Sequence, residues 1–344
     1  MDIAELLEFT VKNKASDLHL SAGLPPLFRI DGELTPSNYP LLTHEDVFKL
    51  LNSVMNDLQR KHYKEHLETD FSFEQKPLAR VRVNAFMQDR GAAAVFRVIP
   101  AKIPSMEELE LPKVLKQIAS LSQGLVLVTG PTGSGKSTTL AAIIDHINDS
   151  RSQHIITVED PIEFLHPSKK CLVNQREVFR DTHSFSAALR SALRQDPDII
   201  LVGELRDLET IRLAMTAAET GHLVLATLHT SSAAKTINRI IDVFPGDEKS
   251  MIRSMLSGSL QAVIAQTLLK RKDAGRVAAF EIMLCNSAIR SLIREDKVAQ
   301  MYSTIQTGKI HGMQTLDQEL VELIKANQIT RETAHEAATD KALF

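Results

Sequence analysis

The 344-residue sequence predicts an α/β protein: a doubly wound parallel sheet with a phosphate loop, preceded by a small α+β domain and followed by a helical segment. Three observations carry the prediction. From Gly124 onward the short apolar runs "GLVLVTG", "HIITVED", "DIILVGE" and "HLVLATLH" alternate with helical stretches, as buried parallel strands and crossover helices do. The first run leads directly into a glycine-rich loop. Before residue 100 the apolar residues fall instead into strand-like runs separated by turn residues.

Ile3, Leu6, Leu7 and Val11 share one face of an opening amphipathic helix. "DLHLSA", "PLFRIDGEL", "TDFSFE", "ARVRVNAFMQ" and "AAAVFRVIP" then read as strands, with Gly32 and Gly91 at turns, and close a domain over residues 1–100. "AKIPSMEELELPKV" sets Pro104 and Pro112 around an acidic stretch, so residues 101–116 read as an ordered linker. The alternating α/β domain follows over 117–285. In the helical segment, 286–344, Leu316, Leu320, Leu323 and Ile324 are spaced for one buried face.

Gly130, Pro131, Thr132, Gly133, Ser134, Gly135, Lys136 and Ser137 form a complete G-x-x-x-x-G-K-[ST] loop between a predicted strand and a predicted helix that continues through Thr138. The glycines let backbone N–H groups curl around phosphate oxygens, and the helix N-terminus adds partial positive charge. Lys136 would reach the β- and γ-phosphates, and the Ser137 hydroxyl would ligate Mg²⁺. ATP and Mg²⁺ are therefore the expected ligands.

Two further strands end in acids. "HIITVEDPIEF" brings Glu159, Asp160 and, three residues on, Glu163 to a strand end, and "DPDIILVGELRD" brings Glu204 there behind Gly203. Ligands of such sheets bind beyond the carboxyl ends of the strands, where a carboxylate holds a metal-bound water or takes a proton from an attacking one. His222 and His229 bracket "LVLATL", too far apart to share a metal ion, and His229 at the carboxyl end is a candidate γ-phosphate sensor. Arg80 and Arg82 alternate onto one face of a strand, with Arg90 and Arg97 nearby, a pattern able to clamp phosphate for a partner subunit. Arg190 and Arg194, four apart in "ALRSALRQD", predict a shared helical face ahead of the Glu204 strand.

Composition narrows the classes. With 40 Lys and Arg against 43 Asp and Glu, the net charge of −3 gives no reason to expect nucleic acid as a partner. Cys171 and Cys285, far apart, form neither a CxxC knuckle nor a disulfide framework, which fits a reducing cytoplasm. "MDIAELLEFT" carries acids where a signal peptide carries bases, and no apolar run approaches the ~20 residues of a membrane span. Membrane association is expected only through partners.

The phosphate loop, "VEDPIEF", "DPDIILVGELRD" and "TGHLVLATLHT" resemble, in order and spacing, the Walker A, Asp-box, Walker B and His-box motifs of the type II/type IV secretion ATPases. "ASDLHLS" extends the resemblance towards the start. It implies a PAS-like N-terminal domain joined to a RecA-like ATPase domain, in rings of six. Residue by residue it implies that Glu204 is the Walker B glutamate near Mg²⁺ and Glu163 the acid that prepares water, with the general base open between them. Arg82 and Arg97 would reach nucleotide at a domain or subunit boundary, Arg190 and Arg194 would form a second pair, and His222 and His229 would be the His box. "AIRSLIRE" at 288–295 is similar to the AIRNLIRE signature of the pilus-retraction members, with Ser291 in place of Asn. The implied function is a motor that couples ATP hydrolysis to type IV pilus retraction and twitching motility, at the cytoplasmic face of the inner membrane through a platform protein. An assembly or secretion ATPase, an accessory subunit with little turnover, and a DNA translocase are the competing readings. The first usually carries a longer N-terminal extension and a four-cysteine zinc module.

Overall fold

Two sheets organise the chain, one in each of two units, Met1–Lys102 and Ile103–Phe344. The computed structural model describes residues 2–30, 32–76, 78–99, 102–273 and 275–344; Pro100 and Ala101, at the predicted domain boundary, lie outside the described residues.

The first unit runs α1 (Ile3–Lys12), β1 (Asp17–Ser21), β2 (Leu27–Ile30), β3 (Glu33–Pro36), α2 (His44–Val54), α3 (Asp57–His66), β4 (Glu68–Gln75), β5 (Ala79–Gln88) and β6 (Gly91–Ile99). Its strands pair antiparallel in the order β3-β2-β1-β6-β5-β4. Ile3, Leu6 and Leu7 of α1 point inward as expected, but Val11 is exposed and Thr10 takes the interior place. The buried stripe follows i, i+3, i+4, i+7, and the Thr10 hydroxyl satisfies itself on the Leu6 carbonyl at 2.7 Å. Helices α2 and α3 were not anticipated, yet each opens with a capping box, Thr43 with Asp46 and Asn56 with Gln59.

Strand alternation divides this sheet into two faces. Phe28, Leu18, Phe96, Val83 and Phe71 lie in register across one and form the core with the helices. One residue along, Arg29, Asp17, Arg97, Arg82 and Ser72 lie in register across the other. Asp17, 3% exposed, binds Arg97 at 2.8 Å and lies 3.9 Å from Arg29.

The second unit runs α4 (Val114–Ala119), β7 (Gly124–Thr129), α5 (Lys136–Ser150), β8 (His154–Glu159), β9 (Leu172–Glu177), α6 (Phe185–Ala192), β10 (Ile199–Val202), α7 (Leu208–Glu219), β11 (Leu223–Leu228), α8 (Ala233–Asp242), α9 (Lys249–Ser259), β12 (Leu260–Lys270), β13 (Arg276–Leu284), α10 (Ser287–Arg294), α11 (Met301–Thr307), α12 (Leu316–Lys325) and α13 (Arg331–Ala337). The sheet order is β13-β12-β7-β11-β10-β8-β9, parallel throughout except for β13. The four expected strands are its centre; β9, β12 and β13 extend it, the last as an antiparallel edge. Helices α4 and α5 cover one face and α7 to α11 the other. Leu320 and Leu323 bury against Leu269, Val277 and Ala279, with Leu316 and Ile324 at the margin.

The acidic segment between the two prolines also packs on this unit: Met106 is buried with Leu109 and Leu111 beside the α5 face. In α10, Arg290 donates to the carbonyls of Ser257 and Gly258 and to Gln261, closing the C-terminal end of α9. Ser291, the departure in "AIRSLIRE", turns to its own helix and donates to Glu295 at 2.7 Å.

Candidate nucleotide site

In a parallel sheet the carboxyl ends of the strands share one edge, and the strand order decides which loops become neighbours. Here β11 lies between β7 and β10, with β8 beyond. The phosphate loop after β7, His229 after β11, Glu204 after β10 and Asp160 after β8 therefore line up side by side.

Side-chain contacts follow that order. Lys136 Nζ donates to the carbonyls of Gly130 at 2.8 Å and Pro131 at 3.0 Å, and lies 3.5 Å from His229 Nδ1, the outer limit of a hydrogen bond. His229 Nε2 is 3.2 Å from Glu204 Oε1. An ammonium only donates, so Nδ1 is the acceptor of that contact and Nε2–H the donor to Glu204. Arg206 Nε holds the other oxygen of Glu204 at 2.8 Å, and its Nη1 lies 3.8 Å from Asp160. Burial pulls the Lys136 ammonium below its usual range, partly opposed by the Glu204 charge.

The loop has the form of an anion cradle. Gly130, Gly133 and Gly135 adopt φ of 145°, 79° and 88°. A Cβ on Gly130 would stand 2.2 Å from the Gln266 carbonyl oxygen and 2.6 Å from Ser134 Oγ, so the close approach of loop and β12 requires glycine. Pro131, Thr132 and Gly133 form an exposed crest, and Ser134 is buried with a hydroxyl oxygen that has no partner. Gly135 is the N-cap of α5, so the first-turn N–H groups, those of Lys136, Ser137 and Thr138, have no acceptor within the helix. These donors, the orphaned hydroxyl and Lys136 fit a polyphosphate. The exposed Ser137 hydroxyl with the carboxylates of Glu204 and Asp160 is an oxygen-only donor set, which fits Mg²⁺.

Several residues that support this edge escaped the sequence analysis. Gln266 on β12 donates to the Ser134 carbonyl and accepts from Thr139 Oγ1, both at 2.8 Å, bracing the loop from the neighbouring strand. Its only local signal is an amide in the otherwise largely apolar run "LQAVIAQTLLK", which it shares with Gln261. Arg206 lies inside the Walker B stretch, two residues beyond Glu204. Gln175 on β9 donates to Glu159 and to the Phe164 carbonyl, fastening the segment that carries Asp160 and Glu163.

Other expected residues lie elsewhere. Glu159 is 8% exposed; it accepts from Thr157 Oγ1 at 2.6 Å and Gln175 at 3.2 Å, and from the Glu163 N–H at 3.4 Å. It supports the Asp-box segment from below. His222 sits at the amino end of β11, the opposite edge of the sheet from the loop, with Nδ1 2.9 Å from the Ala217 carbonyl oxygen. Arg190 is in the last turn of α6 and pairs with Glu209 of α7. Arg194 lies past the end of α6, so the predicted shared helical face is corrected: the chain turns through a left-handed Asp196 before Pro197. Arg82 and Arg97 lie on the polar sheet face of the first unit.

Burial without a cation pushes the Glu159 carboxyl up to about 7. The native state holds a proton here that the unfolded chain, with an ordinary value of 4.5, has released. Its contribution is present below 4.5 and lost as pH rises through 7, on the order of 3 kcal/mol. Buried His166, lowered to about 4 by desolvation, acts oppositely: its contribution is present above 6.5 and lost as pH falls through 4. Glu159→Gln should therefore lie close to the wild type at pH 5, where the folded chain still holds its proton, and clearly exceed it in stability at pH 8. Urea unfolding at the two pH values checks this; an equal difference at both would show that the carboxyl is ionised throughout.

A glycine-rich loop opening a helix, with acids on the adjoining strand ends of a RecA-like sheet, defines a P-loop ATPase. The model of the family described as Type II/IV secretion system protein matches residues 1–342, and the chain belongs to that family. Among its relatives, the Type IV pilus retractation ATPase PilT of Pseudomonas aeruginosa is 66% identical, over 98% of either chain. The Twitching motility protein of Neisseria gonorrhoeae is 58% identical over 91% of this chain and 84% of its own. The crystal structure of the pilus retraction motor PilT with bound ADP superposes with a TM-score of 0.93 at 47% identity, covering 100% of this chain and 99% of that one.

Proposed function

We propose that this chain is a type IV pilus retraction motor: a ring of six copies whose ATP hydrolysis draws pilins out of the fibre and so produces twitching motility. The observation that carries the reading is the unbroken contact series from Lys136 through His229, Glu204 and Arg206 to Asp160, in a chain similar over 98% of its length to a retraction ATPase.

In this reading Lys136 exchanges the loop carbonyls for β- and γ-phosphate oxygens, and the loop N–H groups bind the rest. Ser137 and Glu204 would hold Mg²⁺, whose chemistry there would be to neutralise phosphate charge. Glu163 or Glu204 takes the proton of the attacking water. His229, between loop and Glu204, registers whether Lys136 is engaged. Arg82 and Arg97 meet nucleotide across a subunit boundary, with Arg190 and Arg194 as a second pair. The first unit acts as a PAS-like domain of residues 1–100, and the Pro-flanked segment 101–116 as the linker through which nucleotide state biases its arrangement. No helix among the described residues is long and apolar enough to cross a membrane. A ring at the cytoplasmic face of the inner membrane, engaging a platform protein, accords with that; no role for nucleic acid is invoked.

The ring is tested by ATP hydrolysis of the purified chain across a wide protein concentration range. Specific activity should rise steeply with concentration and be lost in Arg97→Ala. Activity independent of concentration that survives Arg97→Ala would contradict sites completed between subunits.

A further inference from the structure

Arg206 bridges the last two acids of the contact series, Glu204 and Asp160. Its root is fixed: Gly203 N–H bonds the Val158 carbonyl at 2.8 Å, Leu205 N–H bonds the Thr227 carbonyl at 3.1 Å, and Asp207 caps α7 through Thr210 N–H at 2.8 Å. Leu205 is buried on one side of it. The side chain as a whole is 58% exposed. A fixed backbone with a solvent-facing head lets the side chain swing without disturbing the strand end.

What the head touches is specific. Nε donates to Glu204 Oε2 at 2.8 Å, and Nη1 is 3.8 Å from Asp160 Oδ2. Since His229 faces the other Glu204 oxygen at 3.2 Å, both oxygens of that carboxylate are engaged. A divalent cation needs the lone pairs that Arg206 occupies, and guanidinium and metal compete for the same charge.

We infer that Arg206 is a positioning residue: an internal counter-ion that spans Glu204 and Asp160, competes with the divalent cation for them, and so sets how strongly nucleotide binding depends on metal. The inference rests on the reading of Glu204 as a metal-site carboxylate. Two opposite consequences follow from removing the charge. With metal present, the carboxylates are less neutralised and hold the cation, and hence the metal–nucleotide complex, more tightly. Without metal, the bare carboxylates repel phosphate and affinity falls. A guanidinium that instead bound phosphate directly would strengthen nucleotide binding in both conditions.

The experiment is titration of the full chain with a fluorescent ADP analogue, at low ionic strength, in excess Mg²⁺ and in EDTA. The readout is the ratio of the two dissociation constants, EDTA over Mg²⁺. In Arg206→Gln the ratio should rise roughly three- to fivefold, the scale of an exposed charge pair, and Arg206→Lys should return it towards the wild type. An unchanged ratio in Arg206→Gln overturns the inference, as does an equal loss of affinity in both conditions, which would make Arg206 a phosphate ligand. A wild-type ratio of one would remove the metal reading itself, and the inference with it.

Discussion

Glu204→Gln should lower ATP turnover by at least about a hundredfold while leaving ADP affinity within about threefold of the wild type. The amide is nearly isosteric, so the strand end, the Gly203 turn and the buried Leu205 remain. What disappears is the negative charge at the centre of the contact series, between His229 at 3.2 Å and Arg206 at 2.8 Å. Affinity is held by the loop and Lys136, two strands away across β11, so binding and turnover separate. Steady-state hydrolysis beside fluorescent-nucleotide titration checks this. Glu163→Gln, measured in parallel, decides which acid takes the proton: the variant with the greater loss of turnover at unchanged affinity identifies it. Turnover retained in Glu204→Gln would show that this carboxylate neither holds metal nor takes the proton.

The second large effect is in binding. Gly130→Ala should weaken nucleotide affinity at least about tenfold, because loop and strand would have to separate for the new methyl group. Its Cβ would lie 2.2 Å from the carbonyl oxygen of Gln266, a backbone atom of β12, and the required φ of 145° is strained for any L side chain. The same displacement would break the Gln266 bonds to Ser134 and Thr139. Gly133→Ala is the control. It has a positive φ of 79° but nothing within 4 Å of its Cβ, so it carries backbone strain of about 1–2 kcal/mol and no collision. Titration of both variants checks the difference; equal losses would mean that strain alone, and not the Gln266 contact, shapes the loop.

The contrast between these glycines shows where local sequence stops being informative. The phosphate loop, the four central strands and their terminal acids were readable because each is encoded within about ten residues: an aliphatic run, then the groups that follow it. Gln266 meets Ser134 from 132 residues away, and only the pairing of β12 with β7 brings it there. The same holds for His229, whose position between Lys136 and Glu204 comes from the strand order β7-β11-β10. His222, six strand residues earlier, has the same residue type and lies at the other edge, a difference that chain direction alone creates. Glu159 and Asp160 illustrate a further limit. Adjacent acids at a strand end look alike in sequence, but alternation turns Glu159 onto Thr157 and Gln175, where it is buried and bonded. In the first unit, the capping boxes that open α2 and α3, "THED" and "NDLQ", are local signals as well.

The central claim, that hydrolysis in this crevice drives pilus retraction, is tested most directly in cells that build type IV pili but lack their own retraction ATPase. Supplied with this chain they should regain twitching motility, and supplied with equal amounts of Glu204→Gln they should remain piliated and immobile. Twitching restored equally by the turnover-deficient variant, or a wild-type chain that hydrolyses ATP in those cells without restoring movement, would contradict it.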